Sequence, residues 1–457
     1  MATRREFISG SAPAIAGAAL GSSNANATAA LAPANRDTQA VQLSDLSFLR
    51  NEPLANRERA SAILKAEGLD AMVVARSHNV FYLTNYWPLI DRMGISATSC
   101  LAVITADAKR PIALIVPAFS YYYIQADDGL LPGVQPFVFT GPAGSALESG
   151  AAAPVMMRVT NEAGLSARER RRRAAIAAAA PYHASAETAL RAALRELGIK
   201  GGAIGVDETL PAGLVAAVLP NATTRMTEDT LRRVRLIRTP TELRLQRIAA
   251  QNNVDAAMAT AKAARSLGSL RALRARFYAE CALRGNGGVF MVVDSVSSDA
   301  YDETLREGQS FLIDCVSQCR NYHGDFARTV HFGEPSKRML LATEAIGKTW
   351  DELRSRVRPG MRFSEIRTLG DSILRKLNYD VSIGFGPHSV GLAHTDQPRS
   401  AVGGGPVDHV IEVGMVLSID NPLFEVGYGS AHLEDLILIK PDGAETIHSV
   451  PPRTITV

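Results

Sequence analysis

The chain contains the stretch SFLIDCVSQCRNYHGDFARTVHFG, which runs from Ser310 to Gly333. Two apolar runs within it, Phe311–Ile313 and Phe326–Val330, flank a polar middle that contains Asn321. Apolar runs separated by residues of this type are typical of two antiparallel strands joined by a turn. The stretch therefore predicts a β-hairpin whose turn lies in the polar middle.

Each predicted strand carries an aspartate where a strand would normally have an apolar residue. Asp314 and Asp325 would lie on neighbouring strands of the hairpin, where the Cβ atoms of opposite residues are about 4.5–5.5 Å apart. Two bare carboxylates at that distance repel each other, and a pair of divalent metal ions about 3.5–4 Å apart would compensate their charge. The alternative is that both aspartates are turn or edge residues that face water.

The composition is that of an ordinary globular protein. The 457 residues are 46% hydrophobic and 21% charged, which suits two domains. The net charge of +3 says nothing about nucleic-acid or membrane partners, and we expect no nucleic-acid partner. We attribute the basic run Arg170–Arg173 to a solvated helix capped by Ser166. The four cysteines do not indicate a disulfide framework. Cys315 is expected to point into the core, away from Asp314.

The N-terminus has the features of an export signal. The pair Arg4-Arg5 precedes a weakly apolar, Ala- and Gly-rich stretch, and Ala25-Asn26-Ala27 offers a small-residue cleavage site. This order resembles a twin-arginine signal peptide over residues 1–27 and predicts a periplasmic protein. The alternative is a disordered tail with a chance arginine pair. Residues 28–45 are a predicted linker, and no stretch approaches the ~20 apolar residues of a membrane span.

Residues 46–228 alternate between helical and strand patterns. We expect helices at Asn56–Glu67 and Ala184–Gly198, and strands at Asp70–Ala75, Cys100–Thr105, Ile112–Pro117, Val134–Thr140 and Gly202–Asp207. Such alternation predicts an α/β domain. His78, at the end of a predicted strand, is interpreted as a structural residue rather than a metal ligand.

Residues 229–457 follow a boundary that we predict near Thr227–Arg238. The segment Thr239-Pro-Thr-Glu242 has a capping-box pattern, which predicts a helix to about Gly268. Further helices are expected at Leu270–Leu283, Ser336–Arg354 and Ser364–Leu377, with Ser364 as the cap of the last one. Two helix pairs, each followed by strands, suggest an internal repeat.

Acidic and histidine residues recur at the edges of the predicted strands of this second domain. The set consists of Asp314, Asp325, His388, Asp420 and Glu434. Four carboxylates and one imidazole are ligands that suit Mn, Fe, Co or Zn ions. The set therefore predicts two divalent metal ions, with Mn as the first candidate and Fe, Co or Zn as alternatives.

These motifs resemble those of the pita-bread metallopeptidases, which include Xaa-Pro aminopeptidase, prolidase and methionine aminopeptidase, and of their relative creatinase. The segments that carry the resemblance are LIDCV and HGDFARTV in the hairpin, PHSVGLAHTDQP from Pro387, GMVLSIDNP from Gly414 and HLEDLILI from His432. LKAEGLDAMVVARSHNVFYLTNY, from Leu64, is similar to the creatinase and prolidase N-terminal domain. The resemblance implies an α+β fold, with a C-terminal pita-bread (creatinase/aminopeptidase) domain after an α/β creatinase-like N-terminal domain.

The resemblance also implies a role for each residue of the metal set. Asp314 would hold one metal ion, and Asp325 and Glu434 would bridge both ions. His388 and Asp420 would bind the second ion.

Three features depart from the family pattern. Position 420 is Asp where the family has the longer Glu. His394 matches the family's second histidine, which holds the substrate or the transition state, but it lies six residues after His388 where peptidase members have seven. The proton-shuttling histidine that the family carries upstream of the hairpin is absent. His394, Asp299 and Tyr301 are therefore the predicted catalytic groups.

The resulting hypothesis is a dinuclear metal-dependent hydrolase of peptide or amide C–N bonds that uses metal-activated water. By resemblance, Xaa-Pro peptides are the first substrates to test, and a homodimer is expected. Two alternatives stay open: a pita-bread enzyme with diverged chemistry, such as a creatinase-like amidinohydrolase or a lyase, and a non-catalytic binding module. The three departures together predict a poor general Xaa-Pro aminopeptidase.

Overall fold

The computed structural model describes residues 43–86, 100–122, 129–141, 160–179, 181–379, 383–401 and 403–457, which belong to one compact unit. The predicted export signal and nearly all of the predicted linker lie outside these residues. Within the described part of the chain, no helix combines the length and the apolar character that crossing a membrane requires.

A six-stranded sheet forms the centre of the N-terminal domain. Its strands are β1 Ala71–Val74, β2 Leu101–Thr105, β3 Ile112–Pro117, β4 Val134–Phe139, β5 Gly202–Val206 and β6 Ala222–Met226. They lie in the order β4-β3-β2-β1-β5-β6. Strand β1 is buried on both faces, because Met72 and Val74 belong to one core and Ala71 and Val73 to another. This burial explains why the predicted strand reads as a continuous apolar run.

Helices cover both faces of this sheet. They are α1 Arg57–Ala66, α2 Ser77–Thr84, α3 Ala167–Ala178, α4 Ala186–Glu196 and α5 Thr209–Val218. Asn56 caps α1, and Ser166 caps α3 as predicted for the arginine run. The prediction that His78 lies at the end of a strand was wrong, because His78 lies in helix α2.

The predicted boundary near residues 227–238 is itself mostly helical. Helix α6, Glu228–Arg235, has buried arginines on its inner side. The chain then enters helix α7, Pro240–Lys262, through the predicted capping box of Thr239 and Glu242. Helix α7 ends before the predicted Gly268, and a separate helical turn, Ala264–Leu267, fills the remaining length.

The predicted hairpin is present as strands β8, Ser310–Cys319, and β9, Tyr322–His331. Arg320 and Asn321 form the turn, and their φ angles are 49° and 65°. Positive φ at both central residues is the geometry of the two-residue turn that matches the twist of paired strands.

The register of the hairpin corrects one detail of the prediction. Asp314 is paired with Ala327 and Asp325 with Val316, so the two aspartates share a face but are diagonal rather than opposite neighbours. Diagonal neighbours in a sheet lie about 7–8 Å apart. This separation leaves more room between the two carboxylates than direct pairing would.

Two sheets form the C-terminal domain. Besides β8 and β9, their strands are β7 Gly287–Val293, β10 Gly386–Ser389, β11 Val416–Asp420, β12 Leu423–Glu425, β13 Gly429–Ala431, β14 Glu434–Asp435, β15 Ile437–Lys440, β16 Gly443–Thr446 and β17 Ile455–Thr456. One sheet has the order β12-β13-β8-β9-β14, with β7 paired to β8 and β17 to β9, and the other has the order β10-β11-β15-β16.

Each of these sheets is covered by its own pair of helices, in agreement with the suggested internal repeat. Helices α7 and α8, Leu270–Leu283, share a core with the hairpin sheet. Helices α9, Lys337–Arg356, and α10, Phe363–Lys376, share a core with the second sheet. Cys315 is completely buried in the first of these cores. As predicted, it points away from Asp314, its neighbour on β8.

The prediction that Ser364 caps α10 was wrong. The helix begins at Phe363, and Arg362 occupies the N-cap position. The hydroxyl and the amide of Ser364 instead donate to the carboxylate of Asp408, at 2.6 Å and 3.0 Å. Asp408 lies 44 residues away in sequence, so a local capping pattern could not indicate this contact.

Candidate metal centre

Three carboxylates lie on one face of the hairpin sheet. Asp314 on β8 and Glu434 on β14 are both paired with Ala327 of the central strand β9, so they flank β9 from its two sides. Asp325 lies two residues before Ala327 and therefore on the same face. The sheet directs the three side chains to one point, where one oxygen of each lies within 4.8 Å of the others.

The second sheet contributes the other two predicted ligands. His388 on β10 and Asp420 on β11 belong to paired strands. The Nε2 atom of His388 lies 3.3 Å from Asp420 Oδ2, 3.6 Å from Asp325 Oδ2 and 3.7 Å from Glu434 Oε1. The structure thus brings together all five residues of the predicted metal set.

Several ligand-type atoms of this cluster are buried without a hydrogen bond of normal geometry. They are Asp314 Oδ1, both carboxylate oxygens of Asp325 and both ring nitrogens of His388. Asp325 is only 1% exposed and His388 only 7%. Buried polar groups are nearly always satisfied in native proteins, and a buried carboxylate without a partner is costly. Divalent cations would bind the carboxylate oxygens and the Nε2 atom of His388, which faces them, so the residues present fit a metal site.

The electrostatics of the cluster lead to the same conclusion. Burial, followed by repulsion from neighbouring carboxylates, raises the pKa of Asp314 and of Glu434 well above the usual range. Burial also acts on Asp420, but its contact with His388 outweighs that effect and lowers the pKa to about 2. Carboxylates this close cannot all be ionised unless positive charge compensates them. Two divalent ions would provide that charge.

His394 lies at the edge of the cluster. Its Nε2 atom is 3.1 Å from Asp325 Oδ2, and its ring centroid is 5.0 Å from that of His388. The ring of Phe290 packs edge-on against it, with centroids 5.5 Å apart. The side chain is 36% exposed, so His394 can contact both the cluster and a molecule that enters from solvent. The six-residue spacing from His388 therefore does not remove His394 from the site.

The other two predicted catalytic groups are engaged elsewhere. Asp299 Oδ1 accepts a hydrogen bond from Arg274 Nε at 2.8 Å, and the Tyr301 hydroxyl donates to Glu303 at 3.1 Å. Both side chains are exposed, Asp299 to 70% and Tyr301 to 51%. No hydrogen bond or ion pair among the described residues joins either one to the five-residue cluster. Their contacts give no support to the role in proton delivery that we predicted for them.

Two further side chains contact the cluster, although the sequence patterns did not predict them. His432 Nε2 lies 3.7 Å from Glu434 Oε2 and 3.8 Å from Asp420 Oδ1, and the Ser418 hydroxyl donates to Glu434. Burial lowers the pKa of His432 to about 4, so the ring is neutral at physiological pH. The available signal was the HLED segment, in which a histidine stands two residues before a predicted ligand.

Comparison with known proteins agrees with both domains. Residues 223–441 match the model of metallopeptidase family M24, and residues 56–237 match the creatinase/prolidase N-terminal domain. The Xaa-Pro dipeptidase of Pyrococcus horikoshii is 22% identical over 267 residues, which cover 55% of this chain and 73% of that protein. The probable dipeptidase PepE of Mycobacterium tuberculosis is 26% identical over 158 residues, which cover 34% of this chain and 41% of the relative.

Solved structures extend this likeness to nearly the whole described fold. The prolidase from Pyrococcus horikoshii superposes with a TM-score of 0.61 at 18% identity, over 87% of this chain and 99% of its own. The dipeptidase PepE from Mycobacterium ulcerans gives a TM-score of 0.60 at 17% identity, over 91% and 100%. The two family models and this shared fold show that the chain belongs to the pita-bread superfamily and is a metal-dependent hydrolase of metallopeptidase family M24.

Proposed function

We propose that this protein is a dinuclear metal-dependent hydrolase of peptide C–N bonds, with Xaa-Pro peptides as the first substrate class. One observation carries the proposal: five ligand-type residues from two sheets meet at a buried point, and the Asp325 carboxylate there lacks hydrogen bonds of normal geometry. The names of the relatives support the substrate class, because they include Xaa-Pro dipeptidases and prolidases.

The residues of the site divide into two groups. Asp314, Asp325, His388, Asp420 and Glu434 would hold two divalent ions, with Mn²⁺ as the first candidate. When bound, such ions lower the pKa of a water molecule and polarise the scissile carbonyl.

His394 is the partly exposed group beside the metal ligands. Its Nε2 atom lies close to Asp325, from where it can donate a hydrogen bond to the substrate as charge develops. The rings of Phe290 and His394 pack against each other in a T-shaped arrangement.

Hydrolysis assays on metal-free and Mn²⁺-loaded protein test this proposal. The substrates are a panel of dipeptides, Xaa-Pro peptides and small amides. We expect peptide cleavage that requires Mn²⁺ and is lost when a chelator is added. Activity that survives complete metal removal would contradict the proposal, as would a loaded enzyme that cleaves no peptide.

A pita-bread hydrolase with diverged, non-peptidase chemistry is the second candidate. The observation that favours it is the environment of the segment upstream of the hairpin, where the family's proton-shuttling histidine is absent. In this segment Asp299 pairs with Arg274 and Tyr301 with Glu303. Cleavage of small amides but not of peptides in the same panel would support this candidate.

We predict that Xaa-Pro peptides are cleaved with kcat/KM below about 10⁴ M⁻¹s⁻¹, the low end for working enzymes. Amide cleavage requires a proton for the leaving nitrogen, and a positioned acid contributes about 10²–10⁴-fold to such a step. His394, whose Nε2 atom lies 3.1 Å from Asp325 Oδ2, would then have to stabilise the developing charge and also deliver this proton. Steady-state kinetics with fully loaded enzyme measure the value. A kcat/KM above this limit would show that the missing upstream histidine does not impair peptide cleavage.

The export signal stays a proposal of its own. A twin-arginine route carries folded proteins, which suits an enzyme that must load its metal before it meets competing ions, because affinity alone favours the wrong metals. We predict that wild type is exported and shortened at its N-terminus, whereas Arg4→Lys/Arg5→Lys stays in the cytoplasm. Cell fractionation and N-terminal mass spectrometry measure both properties. Equal cytoplasmic retention of both proteins at full length would contradict the prediction.

A homodimer is a further part of the proposal, and it rests on the resemblance to pita-bread enzymes. Light scattering on the purified protein would determine its mass in solution. A single monomeric species of about the sequence mass of 48.8 kDa would contradict it.

A further inference from the structure

The histidine loop, residues 389–397, leads from the metal-ligand position His388 to His394. Strand pairing with β11 fixes His388 at one end, whereas His394 lies in a stretch without regular secondary structure. The Asp396 amide donates to the Ser389 carbonyl at 2.7 Å and folds the loop back on itself. The position of His394 therefore depends on contacts that the loop makes with its surroundings.

The carboxylate of Asp396 is at the centre of these contacts. Asp396 Oδ2 accepts a hydrogen bond from the amide of Leu392 at 3.2 Å. Leu392 lies two residues before His394. Arg235 binds the same carboxylate in a bidentate manner, with Nη2 2.8 Å from Oδ1 and Nε 3.1 Å from Oδ2. Both side chains of this pair are completely buried. Bidentate pairs fix the relative orientation of two groups as well as neutralise their charges.

Arg238 adds a second connection to the same loop. Its Nη1 atom lies 3.7 Å from Asp396 Oδ2, and its Nη2 atom donates to the Val390 carbonyl at 2.8 Å. A Cβ atom at Gly391 would lie 2.3 Å from Arg238 Nη2 and 2.6 Å from Asp396 Oδ2. The loop thus follows the buried charged groups so closely that position 391 has no space for a side chain.

The N-terminal domain reaches this network through Asn79 on helix α2. Arg235 Nη1 donates to Asn79 Oδ1 at 2.8 Å, and Asn79 Nδ2 donates to Asp207 Oδ2 at 2.9 Å. Asp207 also accepts from the amides of Ala75 and Arg76, at 2.9 Å and 3.0 Å, just after strand β1. A continuous series of buried hydrogen bonds therefore connects the N-terminal sheet to the histidine loop.

We infer that Asp396 is a positioning residue for His394, and that the N-terminal domain holds it in place through Asn79 and Arg235. Buried ion pairs are weak contributors to net stability, but they can select one conformation among several. A displacement of about 1 Å in a catalytic site can lower the rate about 10²-fold. The N-terminal domain thereby influences catalysis through the histidine loop, and the kinetic part of this inference rests on the proposed function.

Two variants of the full, Mn²⁺-loaded chain test the inference. Asp396→Asn keeps the shape of the side chain and removes its charge, whereas Asn79→Ala keeps the ion pair and removes one acceptor from Arg235. We expect kcat to fall in both, by about 10²-fold in Asp396→Asn, with KM unchanged. Bound Mn²⁺ should stay at the wild-type level because strand pairing holds His388. Hydrogen exchange of the amides in residues 390–397 should become faster in both variants.

Glu280→Gln provides the matched control. Glu280 is a buried acid whose partners, Arg276 and Arg284, lie within or next to helix α8. This variant should lower thermal stability but leave kcat and the exchange of the histidine loop unchanged.

Two results would overturn the inference. One is wild-type kcat and loop exchange in Asn79→Ala and Asp396→Asn. The other is a parallel loss of bound Mn²⁺ and thermal stability without faster loop exchange, which would indicate a general structural role. If Asp396→Asn does not fold, Asn79→Ala decides. If wild type cleaves no substrate, the proposed function fails, whereas the exchange measurement still decides on positioning.

Discussion

Replacing Asp325 by alanine is expected to remove most of the bound Mn²⁺ and nearly all hydrolytic activity. The Asp325 carboxylate lies 3.6 Å from His388 Nε2, and one of its oxygens lies within 4.8 Å of a carboxylate oxygen of Asp314 and of Glu434. As a bridging ligand it would serve both ions, so its loss weakens both positions together. Metal ions supply several kcal/mol of transition-state stabilisation, and the rate should therefore fall by about 10³-fold or more. Metal analysis of the loaded variant and kcat/KM on the best substrate measure the two effects.

Thermal unfolding gives an independent readout for the same variant. A ligand that binds only the native state stabilises it by about 2.7 kcal/mol at 100 times its Kd. Mn²⁺ should therefore raise the unfolding temperature of wild type but not that of Asp325→Ala. Asp351→Ala is the control, because Asp351 is a half-exposed acid paired with Arg453, and it should keep metal and activity. If Asp325→Ala binds as much Mn²⁺ as wild type, the assignment of the hairpin aspartates is wrong.

Replacing His394 by alanine should lower kcat by about 10²–10⁴-fold, the range of a positioned acid–base group. Bound Mn²⁺ should change little, because the five proposed ligands are all retained in this variant. The hydrogen-bonding capacity at Nε2, 3.1 Å from Asp325 Oδ2, is what the variant removes. His394→Gln, which restores a polar side chain, should recover part of the rate if His394 acts by hydrogen bonding alone. Unchanged kcat in His394→Ala, with full metal content, would exclude a catalytic role for this residue.

The hairpin and the position of its two aspartates could be predicted from sequence because strand periodicity is a local property. A buried strand repeats every two residues, so an aspartate within an apolar run is visible without knowledge of the partner strand. The register was not predictable to the same degree. The turn lies at Arg320 and Asn321. This position determines which residues are opposite, and it makes Asp314 and Asp325 diagonal neighbours.

Contacts between distant parts of the chain explain what the sequence did not reveal. Asp299 is a titratable residue upstream of the hairpin, but its carboxylate is paired with Arg274, 25 residues away in sequence. Asp396 was not singled out, since its partner Arg235 is 161 residues away. The Arg235–Asp396 pair can hold the histidine loop in place because both side chains are buried. Their burial depends on the complete tertiary structure and cannot be inferred from the local sequence.

The most direct test of a dinuclear centre is anomalous diffraction from crystals of the Mn²⁺-loaded protein, recorded at the manganese absorption edge. We predict two anomalous peaks about 3.5–4 Å apart, as in other two-metal sites. One peak should contact Asp314, the other His388 and Asp420, and both should contact Asp325 and Glu434. A fully loaded crystal with a single peak, or with peaks away from these five residues, would contradict the proposed centre.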